Sequence, residues 1–138
     1  MNADARQPIV LRPGEGRHYR MGGMAAVFKA HEGETDARYA ISEWWLEPDT
    51  TGPGAHAHPE DDAFYVLEGT MRFLIGDAWI DCPAGSFVLA PGGVTHDFQN
   101  AGDTRAGVLN ISAPGGFERN MGMIVEWFAR HPPGPVAG

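Results

Sequence analysis

Three histidines and a carboxylate are spaced so that a single metal ion could hold them together. His56 and His58 stand at i and i+2 in the run His56-Ala57-His58, and an extended backbone turns side chains of that spacing to the same face. Asp62 lies four residues further on, at the head of a strand-like segment that closes at Gly69. A third imidazole, His96, opens another strand-like segment after the turn residues Pro91-Gly92-Gly93. Three imidazole nitrogens and one carboxylate oxygen suit one divalent transition ion (Fe, Mn, Ni, Cu or Zn), and an octahedral sphere then keeps two positions for substrate and for O2 or water. Asp62 has two readings, a direct ligand or a residue that holds a water and acts as a base. Glu60 and Asp61, in the loop after Pro59, are the alternative carboxylates. No site for an organic cofactor is read from the chain.

The elements that must carry these residues are strands. Nineteen glycines and 11 prolines cut the 138 residues into short runs, which fits many short strands joined by tight turns. Strands are expected at 25–30, 39–46, 63–67, 70–75, 78–82, 86–90, 96–100 and 105–112, separated by turn signals such as Gly76-Asp77 and Ala101-Gly102-Asp103. Connections this short favour antiparallel neighbours. Such a set implies an all-β sandwich or barrel in which inner residues alternate with outer ones. Trp44, Phe64, Val66, Phe73 and Phe98 are the expected lining of an apolar pocket beside the metal, and Trp45 faces away from it. One helix is expected over 116–131, where Phe117, Met121, Ile124, Val125 and Phe128 recur at helical intervals. The expected organisation is an N-terminal arm over 1–24, a barrel over 25–115, that helix, and a flexible proline-rich tail over 132–138.

Gly85, Pro91, Gly93, His96 and Asn100 fit the pattern G-x5-P-x-G-x2-H-x3-N without a gap, which resembles the second motif of the cupin superfamily. The first cupin motif, G-x5-H-x-H-x3-E-x6-G, is met at His56, His58 and Gly69, with Thr50 in place of the leading glycine and Asp62 in place of the glutamate. Residues 70–84 between the motifs give the shortest intermotif spacing of small microbial members. The similarity is firm over 40–112, and Gly116-Phe117-Glu118-Arg119 resembles the start of the C-terminal helix in quercetinase-like monocupins. The resemblance implies a jelly-roll-like double-stranded β-helix barrel with a C-terminal helix, a metal held by three histidines and an acidic residue, and a homodimer. It further implies an oxidoreductase, a metal-dependent dioxygenase of a small hydroxylated or carbonyl compound. A non-oxidative isomerase, lyase or cyclase and a non-catalytic ligand-binding cupin are the alternatives. Aspartate is one methylene shorter than glutamate, so direct ligation by Asp62 requires its strand to sit closer to the ion.

Composition narrows the partners. Ten Lys and Arg against 18 Asp and Glu give a net charge of −8, which repels phosphate backbones and anionic lipid alike, so neither nucleic acid nor membrane is expected as a partner. The first twelve residues include Asp4 and no apolar run, unlike a signal peptide, and a cytoplasmic location is expected. Cys82, the single cysteine, excludes an internal disulfide and a multi-thiolate zinc site, and reads as a small buried filler. His18, His31 and His131 read as surface residues without function, and Asn100 as a structural amide that ties down the turn after it.

Overall fold

The computed structural model describes residues 6–137. Nine strands follow one another, β1 Arg17–Met21, β2 Met24–Ala30, β3 Ala40–Leu46, β4 Asp61–Glu68, β5 Thr70–Ile75, β6 Ala78–Pro83, β7 Phe87–Ala90, β8 His96–Gln99 and β9 Ala106–Ala113. A single helical turn, α1 Glu32–Thr35, joins β2 to β3, and the chain closes with a 3₁₀ turn Phe117–Asn120 running into helix α2 Met121–Arg130. All pairings are antiparallel, in a six-stranded sheet of order β1-β2-β3-β9-β4-β7 and a three-stranded sheet of order β6-β5-β8. The core between them holds Phe28, Trp44, Leu46 and Phe64 from the larger sheet, with Met71, Phe73 and Phe98 from the smaller. This is the expected all-β barrel with a C-terminal helix.

Alternation along the strands decides what faces inward. In β3 Ala40, Ser42, Trp44 and Leu46 are buried in turn, and in β4 Asp62, Phe64 and Val66. The register places Asp62 opposite Ser112, Phe64 opposite Asn110 and Val66 opposite Val108 across β4 and β9. The inner face is therefore apolar at depth and polar towards one end, where Asp62, Asn110 and Ser112 gather.

Three expectations about the ends of the chain are corrected. The sheet begins at Arg17, inside the expected arm, because Tyr19 and Met21 turn inward while Arg17 and Arg20 occupy an edge strand, where charge is tolerated. Arg17 Nε and Tyr19 Oη both donate to the buried Glu118 carboxylate, at 2.7 Å each, which fastens this edge to the 3₁₀ turn. The continuous helix expected over 116–131 is instead that turn followed by a ten-residue helix. The tail expected to be flexible is tied to the loop after β3, with Thr51 N donating to Gly134 O at 2.9 Å and Val136 N to Asp49 Oδ1 at 3.0 Å.

Asn100 holds the loop after β3 and the turn before β9 to the end of β8. Its Nδ2 lies 3.1 Å from both Leu46 O and Glu47 O and 2.8 Å from Thr104 O, and its Oδ1 accepts from Gly102 N. The residue is 1% exposed, so water cannot replace a lost partner. Asn100→Ala is expected to lower unfolding free energy by about 3 kcal/mol, checked by urea denaturation at constant m-value.

Candidate metal centre

His56 stands in no strand, and its position is set by backbone hydrogen bonds. It forms an isolated antiparallel bridge with His96 at the start of β8, His56 N to His96 O at 3.1 Å and His96 N to His56 O at 2.9 Å. Six residues earlier Thr50 bridges Asn100 in the same way, at 2.9 Å in both directions. Between the bridges the chain passes so close to β8 that a Cβ on Gly52 would fall 1.7 Å from Phe98 O, and only glycine fits there. His58 is held from the other motif, its carbonyl accepting from Gly93 N at 2.8 Å.

One hydrogen-bond device is repeated on all three imidazoles. Nδ1 of His56 lies 2.7 Å from Gly54 O, that of His58 3.0 Å from Glu60 O, and that of His96 2.9 Å from Val94 O. A carbonyl only accepts, so each Nδ1 carries a proton and Nε2 is the nitrogen that each ring turns to the cluster. Nε2 of His58 and of His96 each sit 3.0 Å from Asp62 Oδ2. One ligand atom from each of the four residues lies within 4.8 Å of the others. Neighbouring ligands about 2.1 Å from a shared ion stand ~3.0 Å apart, which is the separation of Asp62 Oδ2 from both imidazoles.

Asp62 is aimed by its second oxygen. Oδ1 accepts from Ser112 Oγ and, at 3.2 Å, from Asn110 Nδ2, which leaves Oδ2 to the histidines. Its inward place on β4 brings the shorter side chain within reach. Burial alone would raise its pKa, but hydrogen bonds from His96, Ser112 and Asn110 outweigh that and hold the carboxyl below its ordinary value. Burial would lower the pKa of His96, yet the Asp62 carboxylate raises it, whereas burial keeps that of His56 low.

The structure does not bring Glu60 or Asp61 into the cluster. Asp61 Oδ1 accepts from Gly92 N at 2.8 Å and so pins the Pro91-Gly92-Gly93 turn, and Glu60 Oε1 lies 3.4 Å from Nδ1 of His58, on the far side of the ring from Nε2. Trp44, Phe64 and Phe98 line a cavity of about 40 Å³ at the cluster, together with Pro53 and Phe117. Val66 and Phe73, expected beside them, lie one layer deeper, Phe73 packing on Phe64 and Phe98 with ring centroids 5.1 and 6.0 Å away. His18, His31 and His131 stand apart, with His31 capping α1 and His131 stacked on Trp127 at 4.2 Å. Cys82 is buried, and burial pushes its thiol pKa up.

The family model of the cupin domain matches residues 43–112. The chain belongs to the cupin family. Among solved structures this cupin is similar to a predicted oxalate decarboxylase from Thermotoga maritima, at 19% identity and a TM-score of 0.71 over 77% of this chain and 99% of that one. It is also similar to the polyketide cyclase RemF from Streptomyces resistomycificus, at 18% identity and a TM-score of 0.66 over 78% and 80% of the two chains. A third similar structure is the Bacillus subtilis oxalate decarboxylase with Mn(II) centres, at 20% identity and a TM-score of 0.71, over 86% of this chain and 33% of that one. No curated protein sequence matches the chain. Among the described residues, no helix is long and apolar enough to cross a membrane.

Two outcomes follow from the geometry. Metal binding must displace the proton that Asp62 favours on His96, so apparent affinity for Zn(II) or Mn(II) should fall by up to tenfold per pH unit as pH drops below the raised pKa of His96. Isothermal titration across pH 5.5 to 8 in two buffers of different ionisation enthalpy reads both the affinity and the proton release. Ser112→Ala removes a donor to Asp62 Oδ1 and is expected to weaken metal binding by about 10- to 100-fold without loss of fold, checked by competition with a chromogenic chelator.

Proposed function

We propose that this cupin is a metal-dependent enzyme acting on a small hydroxylated or carbonyl organic compound, with a dioxygenase-type oxidation as the leading reaction. The observation that carries the reading is the convergence of three imidazoles and one carboxylate oxygen on the wall of a small aromatic cavity. A divalent transition metal held by His56, His58, Asp62 and His96 would supply a Lewis acid for a bound oxygen group and, when redox-active, electrons for O2 chemistry. Trp44, Phe64, Phe98 and Phe117 exclude bulk water from that space and favour an apolar reactant such as O2. Asp62, kept ionised by its neighbours, offers Oδ2 either as a ligand or as the acceptor of a substrate hydroxyl proton.

The substrate's body fits the larger space next door. A chamber of about 330 Å³ opens between α2 and the loop before His56, lined by Trp44, Pro53, His56, Phe117, Trp127 and Phe128. It shares four of these residues with the small cavity, so an aryl or alkyl group seated there would bring an attached carbonyl or hydroxyl to the cluster. A homodimer belongs to the same reading, its support being the exposed apolar face of Tyr65, Phe87, Leu89 and Ile111 on neighbouring strands.

A non-oxidative lyase or cyclase is the second reading, supported by the similarity in fold to a polyketide cyclase and to oxalate decarboxylases. Elemental analysis of the untagged protein should find about one Fe, Mn, Ni, Cu or Zn per chain, lost in His56→Ala/His96→Ala. Turnover of diketone and flavonol substrates should consume O2 and stop both under argon and after exchange to zinc. Turnover that persists with zinc under argon selects the second reading, and absence of metal from both proteins after reconstitution removes both.

A further inference from the structure

A second chamber, of about 240 Å³, adjoins the cluster at His58 and Ser112, and it differs in character from the apolar one. Its walls include His58 and Ser112 from the metal centre, Phe117, which lines all three spaces, and Arg119 and Asn120 from the 3₁₀ turn. Arg119 is held in place there. Its Nε donates to Gly116 O at 2.8 Å, and its Nη2 lies where a Cβ on Gly116 would fall, 2.3 Å away, so the guanidinium rests on the bare Gly116 backbone. Gly116 also has φ +128°, which L side chains rarely adopt.

Among the described residues, no carboxylate lies within ion-pair distance of Arg119, and its Nη groups have no protein acceptor. Arg119 is exposed, so a guanidinium with one N–H fixed and the rest of its fork open to the chamber can receive a planar anion. Glu60 is the one carboxylate lining the chamber, and it faces His58 Nδ1 at 3.4 Å rather than Arg119.

We infer that Arg119 binds a carboxylate of the substrate, so that this cupin takes organic acids whose reacting carbonyl or hydroxyl sits at the cluster and whose apolar body enters the chamber under α2. The inference rests on the metal-enzyme reading for what reacts, and on Arg119 alone for which molecules are held.

The test compares phenylglyoxylate, an aryl oxo acid, with its neutral methyl ester, by calorimetry on the metal-loaded full-length chain and by quenching of tryptophan fluorescence. Wild type should bind the acid at least about tenfold more tightly than the ester. Arg119→Gln should bring that ratio close to one while leaving metal content, melting temperature and affinity for the ester unchanged, and Arg119→Lys should restore part of it. A merely structural role for Arg119 would shift both ligands together. A ratio unchanged by Arg119→Gln overturns the inference, as does failure of the wild type to bind any of a panel of aryl and alkyl carboxylic acids at millimolar concentration. The same pair measured on metal-free protein separates the two readings. An Arg119-dependent preference there upholds the anion site even when no metal or turnover is found, whereas metal and turnover without that preference remove the anion site alone.

Discussion

The centre depends on one pair of backbone hydrogen bonds, those that bridge His56 to His96. Without them His56 belongs to an irregular loop whose side chain has no fixed direction. With them it stands beside β8 as though it were a strand neighbour. The second bridge, Thr50 to Asn100, doubles the constraint, and the near-contact at Gly52 keeps the intervening chain flat against Phe98. Three residues of the cluster then occupy rigid backbone, with Asp62 on β4 of the larger sheet, His96 on β8 of the smaller one, and His56 laid across β8. Placement by main-chain bonds costs nothing in side-chain freedom, which is why the rings need only one Nδ1 contact each to complete their orientation.

The same arrangement sets the electrostatics. Asp62 is 6% exposed, and an isolated carboxylate at that depth would take up a proton. Ser112, Asn110 and the histidines keep it charged, and it in turn raises the basicity of His96. Without metal the cluster is thus an acid–base pair in need of a proton, and with metal the ion takes that proton's place. Burial around His56 pulls the other way and keeps that ring neutral and ready to donate.

How far the chain could be read from its residues follows from this. The histidine spacings, the Pro91-Gly92-Gly93 turn and the glycine positions are local signals, and the strands they imply appear within a residue or two of their expected limits. Asn110 and Ser112 were not legible because β9 inverts the usual alternation. Leu109 and Ile111 point outward and the polar pair inward, so hydrophobic parity misassigns the faces until the β4 register is known. β1 was hidden by its two arginines, whose anchor, Glu118, lies about a hundred residues away in sequence. Val66 and Phe73 were placed one layer too high because parity gives the face of a strand but not the depth at which its core closes.

The 3₁₀ turn reaches the space beside the cluster from a separate support. Glu118 is buried and bonded to Arg17 and Tyr19 of the edge strand, and the residues on either side of it, Phe117 and Arg119, both line space next to the cluster. Phe117 packs against Phe28 and Trp44, with centroids 6.5 and 6.4 Å away, so it is fixed to the barrel wall. The turn therefore presents an apolar partition and a cation to the two chambers from a platform that shares no hydrogen bond with His56, His58, Asp62 or His96. Phe117 and Arg119 therefore border the cluster without bonding to it, whereas Ser112 belongs to both, since it donates to Asp62 and also lines the second chamber.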